Sequence, residues 1–181
     1  MARRIAATGT AGAVVISRPR PPAGLAVALA LVAVAGLACA GSPLAREPLA
    51  AFPQADVAIE SGGHRHAFRV WVADTPERRA QGLMFVQSLD TGRGMLFLFE
   101  TPQWAAFWMK DTPVSLDMLF IARDGRITNI GERTRPFSTV PVESDGPIVA
   151  VLEVVAGTAA RLGIRPGDRV VHRALDGPSE R

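Results

Sequence analysis

Tyrosine is absent from this 181-residue chain, and cysteine occurs only once, as Cys39. A single thiol excludes an internal disulfide framework and a cysteine-rich metal site. Histidine is also scarce, with His64 and His66 near the front of the predicted folded region and His172 at its end. No serine stands in a nucleophile elbow, and no glycine-rich phosphate loop occurs. The sequence therefore predicts no metal site and no cofactor, and it contains no nucleophile arrangement typical of a known catalytic site.

Acidic residues are absent from residues 1–40, and this asymmetry changes the meaning of the net charge. The whole chain has a formal net charge of +3, from 20 Lys and Arg residues against 17 Asp and Glu residues. Four of the basic residues, all arginines, lie within residues 1–40. The rest of the chain is left with a net charge of −1. A charge so close to zero gives no electrostatic support for a nucleic-acid partner.

Charge of either sign is absent from residues 21–45, and the centre of this run, residues 23–40, is almost purely small and apolar. A basic start, an apolar stretch and a small-x-small site are the signature of a secretory signal peptide. The best site is Ala38-Cys39-Ala40, with cleavage before Gly41. We therefore expect residues 1–40 to be a signal peptide and the mature protein to be exported, either periplasmic or extracellular.

Two alternatives to cleavage would keep this segment at the membrane. About 20 apolar residues suffice to span a bilayer, so an uncleaved helix is one alternative, although Ala and Val dominate the run. Lipoprotein signals place a cysteine after a Leu-small-small triplet, whereas Cys39 follows Gly36-Leu37-Ala38. A lipid on Cys39 is the second interpretation. In either case, the membrane contact is made through the signal segment or that lipid.

Composition divides the remaining chain into three parts. Residues 41–56 are rich in Pro and Ala without periodicity, and we predict a flexible linker there. Residues 174–181 are predicted to be a disordered tail. Residues 57–173 lie between them and have the usual size of one domain. The sequence thus predicts a single folded domain without internal repeats.

Short apolar runs separated by turn residues predict that this domain is mainly β. The predicted strands are residues 57–60, 66–73, 94–100, 104–110, 116–122, 126–130, 147–155 and 169–172. One short helix is predicted to start with Thr75 as N-cap and Pro76 as first residue, and to end at Gly82. A single helical turn is predicted at residues 158–162. Many short strands with one or two short helices favour a compact β-sandwich or a distorted barrel.

Several motifs in the domain follow one another in an order that resembles a known family. They are Gly82-Leu83-Met84-Phe85, Gly94-Met95-Leu96-Phe97, Phe107-Trp108-Met109-Lys110-Asp111-Thr112, Leu116-Asp117-Met118-Leu119-Phe120, Val151-Leu152-Glu153-Val154, Gly157, Leu162-Gly163-Ile164 and Gly167-Asp168. The series resembles the domain-of-unknown-function 192 family, also called uncharacterised protein family 0127. The resemblance implies a compact, mainly β domain with a small helix, common in exported bacterial proteins, and no agreed activity. The chain has Asp111 where the family usually has Asn, and Ser115 where it often has Pro.

Two carboxylates, Asp117 and Glu153, stand alone in otherwise apolar predicted strands. A buried unpaired charge is unfavourable, so each needs hydrogen bonds, a counter-charge or a proton. The functional interpretation is a pair of carboxylates that binds a ligand or acts as acid and base. The structural interpretation is that they hold loops by accepting backbone N–H bonds, or that they pair with Arg79 or Lys110. The two interpretations predict different surroundings for the same side chains.

Large aromatic residues cluster at Trp104, Phe107 and Trp108. If residues 104–110 form an extended strand, Trp104 and Trp108 share one face and lie about 13 Å apart. Flat aromatic faces can stack on sugar rings, which indicates a platform for a glycan. The alternative is that these rings fill the core or its rim.

Methionines in apolar runs form a further group. They are Met84, Met95, Met109 and Met118. Thioethers are soft ligands that suit Cu(I), but Met in an apolar run is typical of gap-filling core. His64 and His66 share one face if extended, and two ligands without a third are a weak metal signal. We therefore interpret the methionines as core residues.

The favoured function is a small exported binding module for a glycan or another envelope component. Its candidate binding residues are Trp104, Trp108, Lys110, Asp117 and Glu153. One alternative is a glycosidase-like hydrolase that uses Asp117 and Glu153, and another is a non-catalytic structural accessory protein. A concave groove lined by Trp and carboxylates favours the first two. Carboxylates satisfied by backbone groups under a flat surface favour the third.

The first prediction concerns export. The intact mass of the protein purified from a cell-envelope fraction should correspond to a chain that begins at Gly41, because the apolar run ends in a small-residue cleavage site. Replacing Ala40 with the bulkier Leu should leave the precursor uncut. A lipid-modified Cys39 at the N-terminus would establish the anchored form instead. A full-length product in the cytoplasm would contradict both.

Overall fold

A computed structural model describes residues 46–175 of the chain. The predicted signal peptide, the alternative lipid site at Cys39, residues 41–45 of the predicted linker and residues 176–181 of the predicted tail lie outside the described residues. Within residues 46–175, no helix has both the length and the hydropathy needed to span a bilayer.

Nine strands and two short helices make up the described part of the chain, so the prediction of a mainly β domain is confirmed. The strands are β1 (Gln54–Ser61), β2 (His64–Ala73), β3 (Arg93–Gln103), β4 (Ala106–Phe107), β5 (Leu116–Ile121), β6 (Ile127–Gly131), β7 (Val142–Glu143), β8 (Ile148–Val155) and β9 (Arg169–Val171). The helices are α1 (Pro76–Gln81) and α2 (Thr158–Leu162), and a 3₁₀ turn covers Leu49–Ala51.

Seven of the strands form one curled sheet in the order β6-β5-β8-β3-β2-β1-β9, a half-barrel, while β4 and β7 pair separately. Only β2 and β3 run parallel, and α1 lies in the connection between them. The two edges of the sheet approach each other: Ile127 N–H donates to the Asp168 carbonyl and Val170 N–H donates to the Gly125 carbonyl. The curl therefore comes close to closing the barrel, which agrees with the distorted barrel that the sequence favours.

The sheet buries apolar side chains on both faces. On one face, Leu96, Leu119 and Leu152 belong to a core that α2 helps to cover. On the other face, Phe97 and Phe120 pack edge-on against Phe107 of β4. Every residue of β5, and every residue of β8 except the last, is buried as a result. Two-sided burial explains why these strands read as continuous apolar runs without alternation.

Helix α1 forms where its local signals place it. The Thr75 hydroxyl accepts the backbone N–H of Arg78, Pro76 is the first helical residue, and the N–H of Gly82 donates to the carbonyl of Arg78. Gly82 has φ +50°, a backbone conformation that residues with a Cβ rarely adopt. The chain then turns sharply away from the helix axis toward β3.

The aromatic segment around residues 104–110 differs from its prediction. Strand β3 continues through Thr101-Pro102, with a register irregularity between Leu98 and Gln103, while the predicted strand at 104–110 shrinks to Ala106–Phe107. Pro102 lacks an N–H and is accommodated at this irregularity, where the ladder is interrupted.

The segment from residue 46 to residue 53 packs onto the domain, so the linker prediction is wrong for this part. Phe52 is only 3% exposed. The side chain of Gln81 accepts the N–H of Glu47 and donates to its carbonyl, and Arg78 pairs with the Glu47 carboxylate. The linker prediction used only the proline and alanine content of the segment. It failed here because the buried ring of Phe52 packs the segment against the domain.

Candidate functional site

A narrow recess opens beside Glu153 on β8. Across the sheet, Glu153 lies opposite Met95 of β3 and opposite Met118 of β5. Residues that face each other on neighbouring strands project to the same side of a sheet. The carboxyl group therefore stands between two fully buried methionines. Position 94 on the neighbouring strand β3 requires glycine, because a Cβ there would collide with the backbone oxygen of Glu153.

Four of the sequence motifs come together at this recess. Its lining is Gln81, Gly82, Leu83, Met84, Phe97, Trp108, Lys110, Thr112 and Glu153. These residues come from the end of α1 and the turn after it, from β3, from the loop after β4, and from β8. The recess has a volume of about 10 Å³, roughly what one water molecule or one small polar group needs.

The Glu153 side chain is the chemically unusual part of the recess. The residue is 4% exposed, and no hydrogen bond or ion pair reaches its carboxyl from residues 46–175. Burial disfavours the charged form and raises the pKa of Glu153 to about 8. At neutral pH the group is therefore mostly the neutral acid, which can both donate and accept a hydrogen bond.

Two of the other predicted binding residues lie beside Glu153. Trp108 and Lys110 are both half-buried and both line the recess. The Lys110 ammonium lies 5.9 Å from the centroid of the Trp108 ring, within the range of a cation–π contact. The hydroxyl of Thr112, which sequence reasoning missed along with Gln81, donates to the carbonyl of Lys110 and steadies the turn. One aromatic face, one cation and one neutral acid thus converge.

Trp104 lies apart from this group. It is 54% exposed and is not part of the recess lining. The predicted shared face with Trp108 required an extended segment, and the strand there is only two residues long. The extended strand on which the platform of two tryptophans was predicted is therefore not formed. Phe107, the third aromatic residue of the cluster, is fully buried in the core.

Asp117 is held as the structural interpretation describes. It is fully buried, and its carboxylate accepts the backbone N–H groups of Arg133, Gly157 and Ala159 at 2.8, 3.1 and 2.9 Å. These bonds fasten the loop after β6 and the first turn of α2 to β5. The suggested partner Arg79 instead donates to the carbonyls of Asp74 and Leu98.

The two carboxylates project from opposite faces of the sheet. Asp117 lies opposite Val154, whereas Glu153 lies opposite Met118, one position further along β5. Successive side chains on a strand alternate between faces. A two-carboxylate glycosidase needs both groups on either side of one bond, about 5–10 Å apart with substrate between them. This geometry contradicts the hydrolase alternative built on Asp117 and Glu153.

The methionines are core residues, as expected. Met84, Met95, Met109 and Met118 are between 0% and 6% exposed. The sulfur of Met109 accepts a hydrogen bond from the hydroxyl of Thr134 at 3.1 Å. Among residues 46–175, no three His, Cys, Asp or Glu side chains gather closely enough to hold a metal ion.

Left-handed backbone at non-glycine residues marks the loops beside the recess. Phe85, Asp111 and Phe137 have φ values of +63°, +54° and +60°. The N–H of Phe85 donates to the carbonyl of Asp111, and the N–H of Phe137 donates to the carbonyl of Thr112. Asn and Asp tolerate this conformation best after glycine. The family's preference for Asn at position 111 therefore has a backbone reason that Asp111 also satisfies.

The fold and the recess define a single mainly β domain with a buried neutral acid at its surface opening. The chain belongs to the DUF192 family, an uncharacterized ACR family, which it matches over residues 57–172. Membership confirms the resemblance that the motifs indicate. No curated protein matches the chain.

Solved structures that are similar to the chain include two bacterial proteins. One is a protein from Sinorhizobium meliloti 1021 named as a proposed transcription regulator, with 40% identity, a TM-score of 0.66, and coverage of 68% of this chain and 96% of that one. The other is a protein of unknown function from Novosphingobium aromaticivorans DSM 12444, with 40% identity, a TM-score of 0.67, and coverage of 70% and 90%.

Asp117→Asn should destabilise the domain by about 1–3 kcal/mol, because the new amide NH₂ faces at least one backbone donor that loses its acceptor. Urea denaturation at neutral pH measures the change. Asp90→Asn, at an exposed position, is the control and should stay close to wild type. Equal or greater stability of the Asp117 variant would show that the carboxylate does not hold these loops.

Glu153 should make the stability of the wild type depend on pH. Its folded pKa is raised above the ordinary 4.5 to about 8, so its favourable contribution is complete below pH 4.5 and is lost as pH rises through 8. Relative to Glu153→Gln, the wild type should lose at most about 1.4 kcal/mol per pH unit across this window. Urea denaturation at several pH values measures the difference. The exposed control Glu132→Gln should parallel the wild type; a parallel profile for Glu153→Gln would contradict the buried acid.

Proposed function

We propose that the protein is an exported binding module whose recess takes one uncharged polar group of an envelope glycan. The observation that carries the proposal is the Glu153 carboxyl, buried and without a partner among residues 46–175. The carboxyl can therefore bond only to what the recess admits, which is water or one small polar group. A ligand hydroxyl that enters the recess can take the place of water, donating to the carboxyl and accepting from it.

The dimensions of the recess support a sugar lying on its rim with one group inside. A volume of about 10 Å³ excludes a whole sugar ring but admits a hydroxyl. The neutral acid can donate to that hydroxyl and accept from it. The half-exposed ring of Trp108 stands at the opening, where an apolar sugar face can lie against it. Lys110 beside it disfavours a cationic ligand by like-charge repulsion.

The rival functions have less support. The hydrolase based on Asp117 and Glu153 fails on geometry, since the sheet separates the two groups. The structural accessory protein explains Asp117, whose carboxylate holds two loops, but it gives no role to the Glu153 carboxyl, which lines the recess without a protein partner among residues 46–175. Regulation of transcription, suggested by the name of the Sinorhizobium meliloti protein, lacks electrostatic support because the chain after residue 40 has a net charge of −1.

Export is proposed on the sequence alone. The uncharged run of residues 21–45 and the small-residue site before Gly41 support it. An envelope location would expose the recess to cell-wall sugars, which is why a glycan is favoured over a cytoplasmic metabolite. The two parts of the proposal are tested separately, by the mass of the mature chain and by ligand titration.

Titration with soluble peptidoglycan fragments should shift the indole N–H signal of Trp108 in ¹H–¹⁵N spectra. Glu153→Leu keeps the size of the side chain and removes its polar group, so the shift should disappear while the fold remains. Trp104→Leu is the control, because this exposed tryptophan lies outside the recess lining. Its spectrum should keep the Trp108 shift.

Three results would decide against the proposal. They are an unchanged Trp108 signal at all fragment concentrations, an equal loss of binding in the Trp104 variant, and undiminished binding by Glu153→Leu. The first excludes the ligand class, the second excludes the recess as the location, and the third excludes the buried acid as the contact.

A further inference from the structure

Exposed apolar residues and basic residues occur together on the loops around residues 111–112. We define the loop patch as Arg46, Phe85, Lys110, Arg135, Phe137 and Val140. We propose that the loop patch docks the domain onto the surface of an anionic lipid bilayer. This inference is independent of the sugar-binding proposal, because it uses different side chains apart from Lys110.

The apolar members of the loop patch are far more exposed than large apolar residues usually are. Phe85 is 45% exposed, Phe137 64% and Val140 72%. Of the four large apolar side chains that are exposed within residues 46–175, these three lie on the patch and Trp104 is the fourth. Exposed apolar groups that cluster on one surface mark an interaction site, whereas scattered ones do not.

Backbone hydrogen bonds bring these residues together and hold two of them in an unfavourable conformation. Phe85 and Phe137 donate their N–H groups to the carbonyls of Asp111 and Thr112 at 2.7 and 3.2 Å. Both phenylalanines have a left-handed backbone conformation, which is unfavourable for a residue with a Cβ. The fold thus stabilises an arrangement that leaves two phenyl rings in solvent. Strain of this kind is an observation that points to function.

The charge of the loop patch is complementary to an anionic surface. Three basic side chains belong to it, against the acidic side chains of Asp111 and Glu132 on the same loops. The guanidinium of Arg46 lies 3.7 Å from the centroid of the Phe85 ring, so a cation and an exposed aromatic face are stacked together. Aromatic rings with Lys and Arg around them suit the headgroup region, where the rings enter the interface and each cation contributes attraction.

The position at which the chain enters the domain favours a bilayer over another partner. Arg46 is both the first described residue and a member of the loop patch. The apolar run of residues 23–40 ends six residues before it. Six extended residues reach at most about 20 Å. The loop patch therefore includes the point at which the chain enters the domain, close in sequence to the segment that is predicted to direct the chain to a membrane.

Vesicle co-sedimentation tests the proposal on the chain that begins at Gly41, which lacks the apolar run and retains every residue of both cores. The vesicles are phosphatidylcholine alone, and phosphatidylcholine with phosphatidylglycerol in equal parts. We expect binding to the mixed vesicles and little to the neutral ones, with weakening as salt increases. Phe137→Ser should weaken partitioning by about tenfold, since one buried phenyl ring is lost. Arg135→Gln should weaken it by about fivefold at low salt.

Matched controls are available on the rest of the surface. Trp104→Ser removes an equally exposed aromatic residue outside the patch, and Arg123→Gln removes an exposed arginine from the turn after β5. Both should bind like the wild type. The proposal is overturned if the mixed vesicles bind no protein, or if the controls lose as much binding as the patch variants. It is also overturned if duplex DNA of equal charge binds the chain more tightly than the vesicles do, because the patch would then serve a nucleic acid.

Discussion

Burial of β8 on both faces is the constraint on which the rest of the structure depends. One face packs into the interior of the half-barrel and the other packs under the loops, α1 and the β4–β7 pair. A polar side chain on such a strand has no route to bulk solvent along the sheet. Glu153 therefore depends on the recess alone for any contact with water or a ligand. The recess exists because the loops above β8 leave one small opening.

The two buried carboxyl groups show how surroundings, and not residue type, decide a role. Asp117 receives three backbone N–H bonds and holds two segments of chain in place. Glu153 lies on the opposite face and receives none from residues 46–175, so its pKa rises through burial alone. In the sequence the two look alike, each a lone acid among apolar neighbours. The strand register places Asp117 against the two segments that it holds and places Glu153 beside the recess.

Local sequence signals predicted local structure well, but they could not predict which strands pair and in which register. The cap at Thr75, the proline after it and the glycine at position 82 fixed the limits of α1, because each acts through its own backbone. The sequence could not place Trp108 and Glu153 together while separating Trp104 from them, since that depends on which strands pair. The left-handed backbone at Phe85 and Phe137 could not be predicted either, because nothing in the residue type favours that conformation. Hydrogen bonds from distant loops impose it.

One turn, residues 110–112, belongs to both proposed surfaces. Lys110 and Thr112 line the recess, while the carbonyls of Asp111 and Thr112 hold Phe85 and Phe137 on the loop patch. The φ value of +54° at Asp111 is what lets a single turn present side chains inward and carbonyls outward. Movement of either phenylalanine away from the turn would break one of these two hydrogen bonds. The recess and the loop patch are also joined directly along the chain, because Met84 lines the recess and the next residue, Phe85, belongs to the patch.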